Sequence, residues 1–311
     1  MKTIIKISAA LVLSFGSLTL SAQQDPMFTH YMYNTLVVNP AYAGSRDALT
    51  ITALNRNQWA GFSGAPKTQT LTAHSPIGNE HIGVGLSVMN DRLGPINNTS
   101  VNAQFAYLMK LSPKSNLALG LSGGFDMYQA DLKDLNIDQT GDPVFEENLS
   151  NRTAPNFGFG AYYSREFFYA GVSVPNLMQN NYSETTPSGN IYVGEQQRHY
   201  YFIAGGLFDI NHSFDFKPTT LVKLTAAAPV QADLTGTFIF IDKLHLGGMY
   251  RFGDSYGALV GLSLHQFYLG YSFDKSNAFN TFRHNNGSHE VVLRYDFIYD
   301  SKKKIHTPRH F

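Results

Sequence analysis

The sequence predicts an all-β chain that closes into a transmembrane antiparallel β-barrel. Three observations carry that prediction. Charged residues are only 15 % of the 311 residues, while aromatics reach 14 %, with 23 Phe, 18 Tyr and a single Trp; ordinary soluble domains hold roughly 25 % charge. Beyond residue 22 no apolar run is long enough for a membrane helix, so a spanning chain must form a closed barrel, which alone among sheets leaves no backbone group unpaired in lipid. Segments of alternating polarity recur between turn residues, as the strands of such a barrel require.

The elements follow in order. Lys2 and Lys6 precede an apolar stretch from Ile7 to Leu20 that ends at Ser21-Ala22-Gln23. A basic start, a short apolar run and small residues read as a secretory signal over 1–22, cleaved after Ala22. Residues 23–46 form an arm whose Pro and Gly are poor for a strand. Its aromatics are too many for a loose tail, so beside a mobile leader stands the reading of a plug, folded into the lumen or capping its periplasmic mouth. The barrel proper spans 47–298, and 299–311 is a basic tail with Lys302, Lys303 and Lys304, placed in the periplasm.

Within the barrel, alternation marks about 14 strands, an even number as bacterial barrels have. They fall near 48–58, 67–75, 82–90, 99–110, 115–126, 155–164, 167–175, 198–210, 214–224, 230–241, 243–252, 256–265, 266–274 and 288–298. In the last of these Val291, Leu293, Tyr295 and Phe297 oppose Glu290, Arg294 and Asp296. Successive strand side chains point to opposite faces, so the charges belong to a polar interior and the apolar set to lipid. The three longest connections, 127–154, 176–197 and 275–287, all follow odd-numbered strands. Short periplasmic turns and long external loops predict that parity, with both termini in the periplasm.

Composition excludes several functions. Without cysteine there is no disulfide framework, thiolate zinc site or thiol nucleophile. A net charge of zero, with 23 basic and 23 acidic residues, gives no basic face for nucleic acid. Gly253-Asp254-Ser255-Tyr256-Gly257 matches G-x-S-x-G, but that nucleophile needs a strand-to-helix turn, and here another strand follows. Asp134, Asn136, Asp138, Thr140 and Asp142 alternate like a calcium loop, yet Gln139 and Phe145 stand where the loop needs Gly and Glu. No catalytic residue, cofactor or metal is assigned.

The run Gln24-Asp25-Pro26-Met27-Phe28-Thr29-His30-Tyr31-Met32-Tyr33-Asn34, followed by Asn39-Pro40-Ala41-Tyr42-Ala43-Gly44, Arg56-Asn57-Gln58-Trp59-Ala60-Gly61 and Gly64-Ala65-Pro66-Lys67-Thr68, resembles the PorP/SprF family. These are outer-membrane proteins of type IX secretion and gliding motility. The resemblance implies a barrel in the cell outer membrane, in contact with its lipid, that helps secrete or anchor a large surface adhesin by binding its C-terminal domain. It also implies contacts with other secretion or gliding components in the periplasm. The competing reading is a channel or transporter for small molecules, gated by the arm. Phe28, Tyr31, Tyr33, Asn39, Pro40 and Tyr42 are the candidates for a plug or partner contact. Arg56, Gln58 and Trp59 join them from the first strand and its outer rim, Trp59 also suiting an interfacial anchor.

Overall fold

The computed structural model describes residues 25–78, 81–132, 148–186, 189–226, 228–277 and 286–298. The stretches read as signal, 1–22, and basic tail, 299–311, and the calcium-like run 134–142 lie outside them.

Among the described residues seventeen strands form: β1 (Leu49–Asn57), β2 (Lys67–Ile77), β3 (Ile82–Leu93), β4 (Ile96–Ser112), β5 (Ser115–Ala130), β6 (Leu149–Arg165), β7 (Phe168–Val174), β8 (Asn181–Thr186), β9 (Gly189–Glu195), β10 (His199–Gly206), β11 (Phe208–Asn211), β12 (Phe214–Thr225), β13 (Gln231–Phe240), β14 (Leu244–Arg251), β15 (Ser255–Leu264), β16 (Phe267–Ser276) and β17 (Ser288–Phe297). The paired hairpin β8–β9 stands apart from the wall. β10 and β11 are one wall strand broken at Leu207, and both pair with β12. The wall is therefore a closed barrel of 14 antiparallel strands, each beside its sequence neighbour. The seam joins β1 to β17 from Leu49 against Phe297 to Asn57 against His289. Closure leaves no wall strand as a free edge, the condition for a sheet in lipid.

Alternation sorts the faces as the residue types demand. In β1, Thr50, Thr52, Leu54 and Arg56 are buried while their neighbours are not. In β14, His245, Met249 and Arg251 point in, and Leu244, Leu246 and Tyr250 point out. Leu71, Leu86, Phe105, Leu121, Phe159 and Leu269 belong to the apolar outer face, the surface a bilayer covers. No helix among the described residues is long and apolar enough to cross a membrane.

The connections 131–148, 175–198 and 277–287 open at one end of the barrel, and Pro113-Lys114, Glu166-Phe167 and His212-Ser213 turn at the other. The long-loop end is the outer end by the parity of bacterial barrels. β5 and β6 run further than alternation suggested, reaching Ala130 and back to Leu149. Their register Met127–Thr153 and Tyr128–Arg152 continues the ladder into what the sequence marks as loop.

The polar interior that alternation predicts is occupied by the arm. The main cluster of buried apolar side chains is the arm itself, from Met27 to Ala43, packed against inward residues of the wall such as Tyr162, Tyr169 and Tyr268. The arm folds as a 3-10 turn (Tyr31–Tyr33), a one-turn helix α1 (Thr35–Val38) and a second 3-10 turn (Pro40–Tyr42). Asn39 caps the last of these, its side chain accepting from Ala41 N at 3.0 Å, with Pro40 at the first position where no N–H is needed.

Candidate functional site

The strongest cluster of interacting polar groups lies where the arm meets β1, β16 and β17. Inward alternation puts Arg56, Asp274 and Glu290 on one wall patch. The Arg56 guanidinium grips Asp274 with two bonds of 2.7 and 3.1 Å and reaches Glu290 at 3.2 Å. All three side chains are at most 4 % exposed. Glu290 then serves the arm: it accepts from Thr29 N at 2.9 Å, His30 N at 2.7 Å and His30 Nδ1 at 2.9 Å. A buried carboxylate stays ionised only if paired and hydrogen-bonded, and here the arm supplies three of the donors. Thr29 closes the ring by donating from Oγ1 to Asp274 at 3.2 Å.

Further along, each polar arm residue has its own seat. Tyr33 stacks on Tyr268 with centroids 4.1 Å apart, its hydroxyl 3.1 Å from His245 Nδ1. Lys217 and Arg294 lie over its ring at 4.8 and 5.6 Å, within cation–π range. Asn34 donates to Thr70 at 2.7 Å and accepts from Thr72 at 3.1 Å. Asn39 Nδ2 donates to Ala161 O at 3.1 Å. Tyr42 meets His74 and Tyr162 edge-on. Arg46 closes the short-turn end with a two-bonded pair to Asp296, at 3.0 and 3.2 Å.

The wall makes room for this. A Cβ at Gly120 would stand 2.2 Å from Ala41 N, and one at Gly83 would stand 2.0 Å from Ala43 O. Only glycine allows backbone to approach backbone so closely.

The arm runs the length of the barrel. Arg46 binds Asp296 near the end of β17, at the short-turn end. Asp25 lies at the opposite end, where its carboxylate meets His199 at 3.0 Å and Tyr201 at 3.4 Å, and its carbonyl accepts from Lys223 at 3.0 Å. Burial alone would push the Asp25 carboxyl up, but His199, Lys223 and Tyr201 outweigh it and hold it below the usual carboxylate range. The Tyr31 hydroxyl lies 3.1 Å from the Thr219 hydroxyl. The termini themselves lie outside the described residues; β1 starts at the short-turn end, and the arm preceding it carries Asp25 to the outer end.

Of the sequence-singled residues, Phe28, Tyr31, Tyr33, Asn39, Pro40 and Tyr42 all sit buried in the lumen, and Arg56 lies beneath them. Gln58 and Trp59 do not join them. They occupy the β1–β2 connection, where Gln58 N bonds Pro66 O and Trp59 N reaches Ser288 Oγ at 3.4 Å. The wall residues that receive the arm, Asp274, Glu290, Arg294, Asp296, Lys217 and Tyr268, were not singled out as a site. Except for Tyr268 their signal is an inward charge on a strand, which alternation reveals but cannot pair. Ser255 opens β15 after a hairpin turn and donates to Asp254 at 3.2 Å. Among the described residues no group of side chains is arranged to hold a metal.

A closed 14-stranded wall around an arm rich in the motifs of residues 24–44 is what comparison must match. The family model of the type IX secretion system membrane protein PorP/SprF matches residues 20–295. The chain belongs to that family. No curated protein matches it in sequence. Among solved structures it is similar to the CymD monoaromatic hydrocarbon channel, at 9 % identity over 86 % of this chain and 93 % of that one, with a TM-score of 0.52. It is also similar to a Pseudomonas aeruginosa FadL homologue, at 10 % identity over 85 % and 94 % and TM-score 0.49. Omp33 of Acinetobacter baumannii matches at 9 % over 82 % and 100 %, with TM-score 0.46. At these identities the likeness to CymD speaks for the barrel fold alone. Fold and family together place this PorP/SprF member in the outer membrane.

Proposed function

We propose that this barrel is a docking partner in type IX secretion, holding a large secreted surface protein at its outer rim rather than conducting solutes. The observation that carries the reading is the lumen filled by the chain's own arm, tied at both ends and by the buried Arg56–Asp274–Glu290 cluster between them. A conduit for solutes has no use for so many fixed contacts across its bore. A scaffold does, because a filled lumen gives the rim and its three long connections a rigid base. The partner is an adhesin held through its C-terminal domain, and other secretion or gliding components meet the short-turn face.

Gentle extraction of native membranes and affinity purification of the full-length barrel tests this. One large secreted surface protein should copurify in near-stoichiometric amount. A barrel that emerges alone, from cells shown to make such proteins, contradicts the reading.

A further inference from the structure

The arm leaves one part of the lumen unfilled. A cavity of about 110 Å³ lies at the outer end, between the start of the arm and the ends of β3, β4 and β5. It continues into a narrower one of about 40 Å³ between α1 and the same strands. The two share Asp25, Pro26, Met89, Ser100 and Asn176, so they form one slot running down from the loop end.

Its polar groups are unbalanced in one direction. Asp91 and Asp25 line the outer cavity, and of the two Asp25 is already paired with His199 and Tyr201. Asp91 has a hydrogen bond from Thr68 at 2.6 Å and, among the described residues, no ion pair. The Oδ1 of Asn98 is buried without a partner, and so is the Oε1 of Gln104 deeper in the slot, whose side chain is 6 % exposed and donates from Nε2 to Ser87. Among the described residues that line the slot, both unpartnered buried side-chain atoms are acceptors. Among the described residues no lysine, arginine or histidine lines either cavity. A neutral polyol carries two acceptor lone pairs for each hydroxyl donor and would leave some of its own acceptors unpaired. A group with several donors and no acceptor is complementary, and among side chains that describes guanidinium and ammonium.

We infer that this slot is a receptor for a cationic side chain, arginine above lysine, presented from outside by a docked protein. The planar guanidinium suits the site better than ammonium. It can spread its donors over the Asp91 carboxylate and the Asn98 carbonyl while its faces meet Met89 and Tyr128. The slot volume admits one such side chain and excludes a folded element. The docking reading decides only who supplies the side chain; the test below omits the secreted protein, so the two ideas fail separately.

The full-length barrel, purified in detergent, is titrated by calorimetry with acetylated and amidated Ser-Arg-Ser, and with the same peptide carrying citrulline, which keeps the shape without the charge. Arginine should bind about tenfold more tightly, as a charge-assisted bond in a half-buried site allows. The preference should vanish in Asp91→Asn, whose fold is checked by heat-modifiable gel mobility, and should survive in Asp209→Asn on the short-turn side. Equal binding of both peptides, no binding of either, or a preference that persists in Asp91→Asn each overturns the assignment.

Discussion

Removing the Arg56 guanidinium would take from the buried Asp274 and Glu290 carboxylates the cation they share. Breaking a buried pair in this way costs about 3–5 kcal/mol, and the arm shares the loss because Glu290 holds Thr29 and His30. Arg56→Ala should therefore free the arm before it unfolds the wall. Limited proteolysis should cut near Thr29 in the variant and not in the parent, with both still running as folded barrels on unheated gels. Arg56→Lys should recover only part, since an ammonium cannot bridge Asp274 twice. Tyr33→Ala removes a stacked ring and a hydroxyl contact, a truncation worth about 3–5 kcal/mol in a packed core; it should lower the thermal midpoint of arm release more than Phe105→Ala on the outer face does. Asp25 adds a pH dependence. Its carboxyl is held below the ordinary value, so its contribution to seating the arm is fully present above the unfolded carboxylate range near about 3.9. It is lost as pH falls through the lower folded value. Protease access to the outer part of the arm should be unchanged from neutral pH down to mild acid and rise below it, and the rise should be absent in Asp25→Asn.

At the scale of elements, strands were legible where lipid and lumen make opposite demands. Period-two alternation in β1, β4, β14 and β17 located each within a few residues, because one face must be apolar. It failed at strand ends such as Leu149–Ala154 of β6. There the wall rises into the loop region, and neither face is required to be apolar. It also missed the hairpin β8–β9, whose residues lie off the wall and need no lipid face. The arm was legible as unusual, since Pro, Gly and clustered aromatics suit neither strand nor tail, but its path was not. Contacts such as Asn34 with Thr70 and Thr72, or Asn39 with Ala161, join residues 36 to 122 positions apart and leave no local pattern. The glycines opposite the arm could not be told from ordinary strand glycines for the same reason. Gly120 gives the element-scale prediction: Gly120→Val places a side chain where Ala41 lies, so the arm should be expelled while the wall stays closed. Intact barrel mobility with a newly cleavable arm would bear this out, and an arm that remains protected would contradict it.

For the whole molecule, the wall and its filling do different work. Fourteen strands and an apolar belt satisfy the bilayer, and any sequence with the right alternation can do so, which is why a barrel at 9 % identity shares the fold. The filling is specific, because buried charges on the wall are balanced by groups on the arm. A barrel of this girth without its arm would hold a polar bore lined by Arg56, Lys217, Asp274 and Glu290, and water and ions would enter it. The most direct measurement is therefore the ion current through single barrels in a planar bilayer, comparing the full-length protein with a variant lacking residues 25–44. The full-length barrel should be electrically silent and the truncated one should open a steady conductance. A full-length barrel that conducts as well as the truncated one would show that the arm does not fill the lumen, and the account would fail.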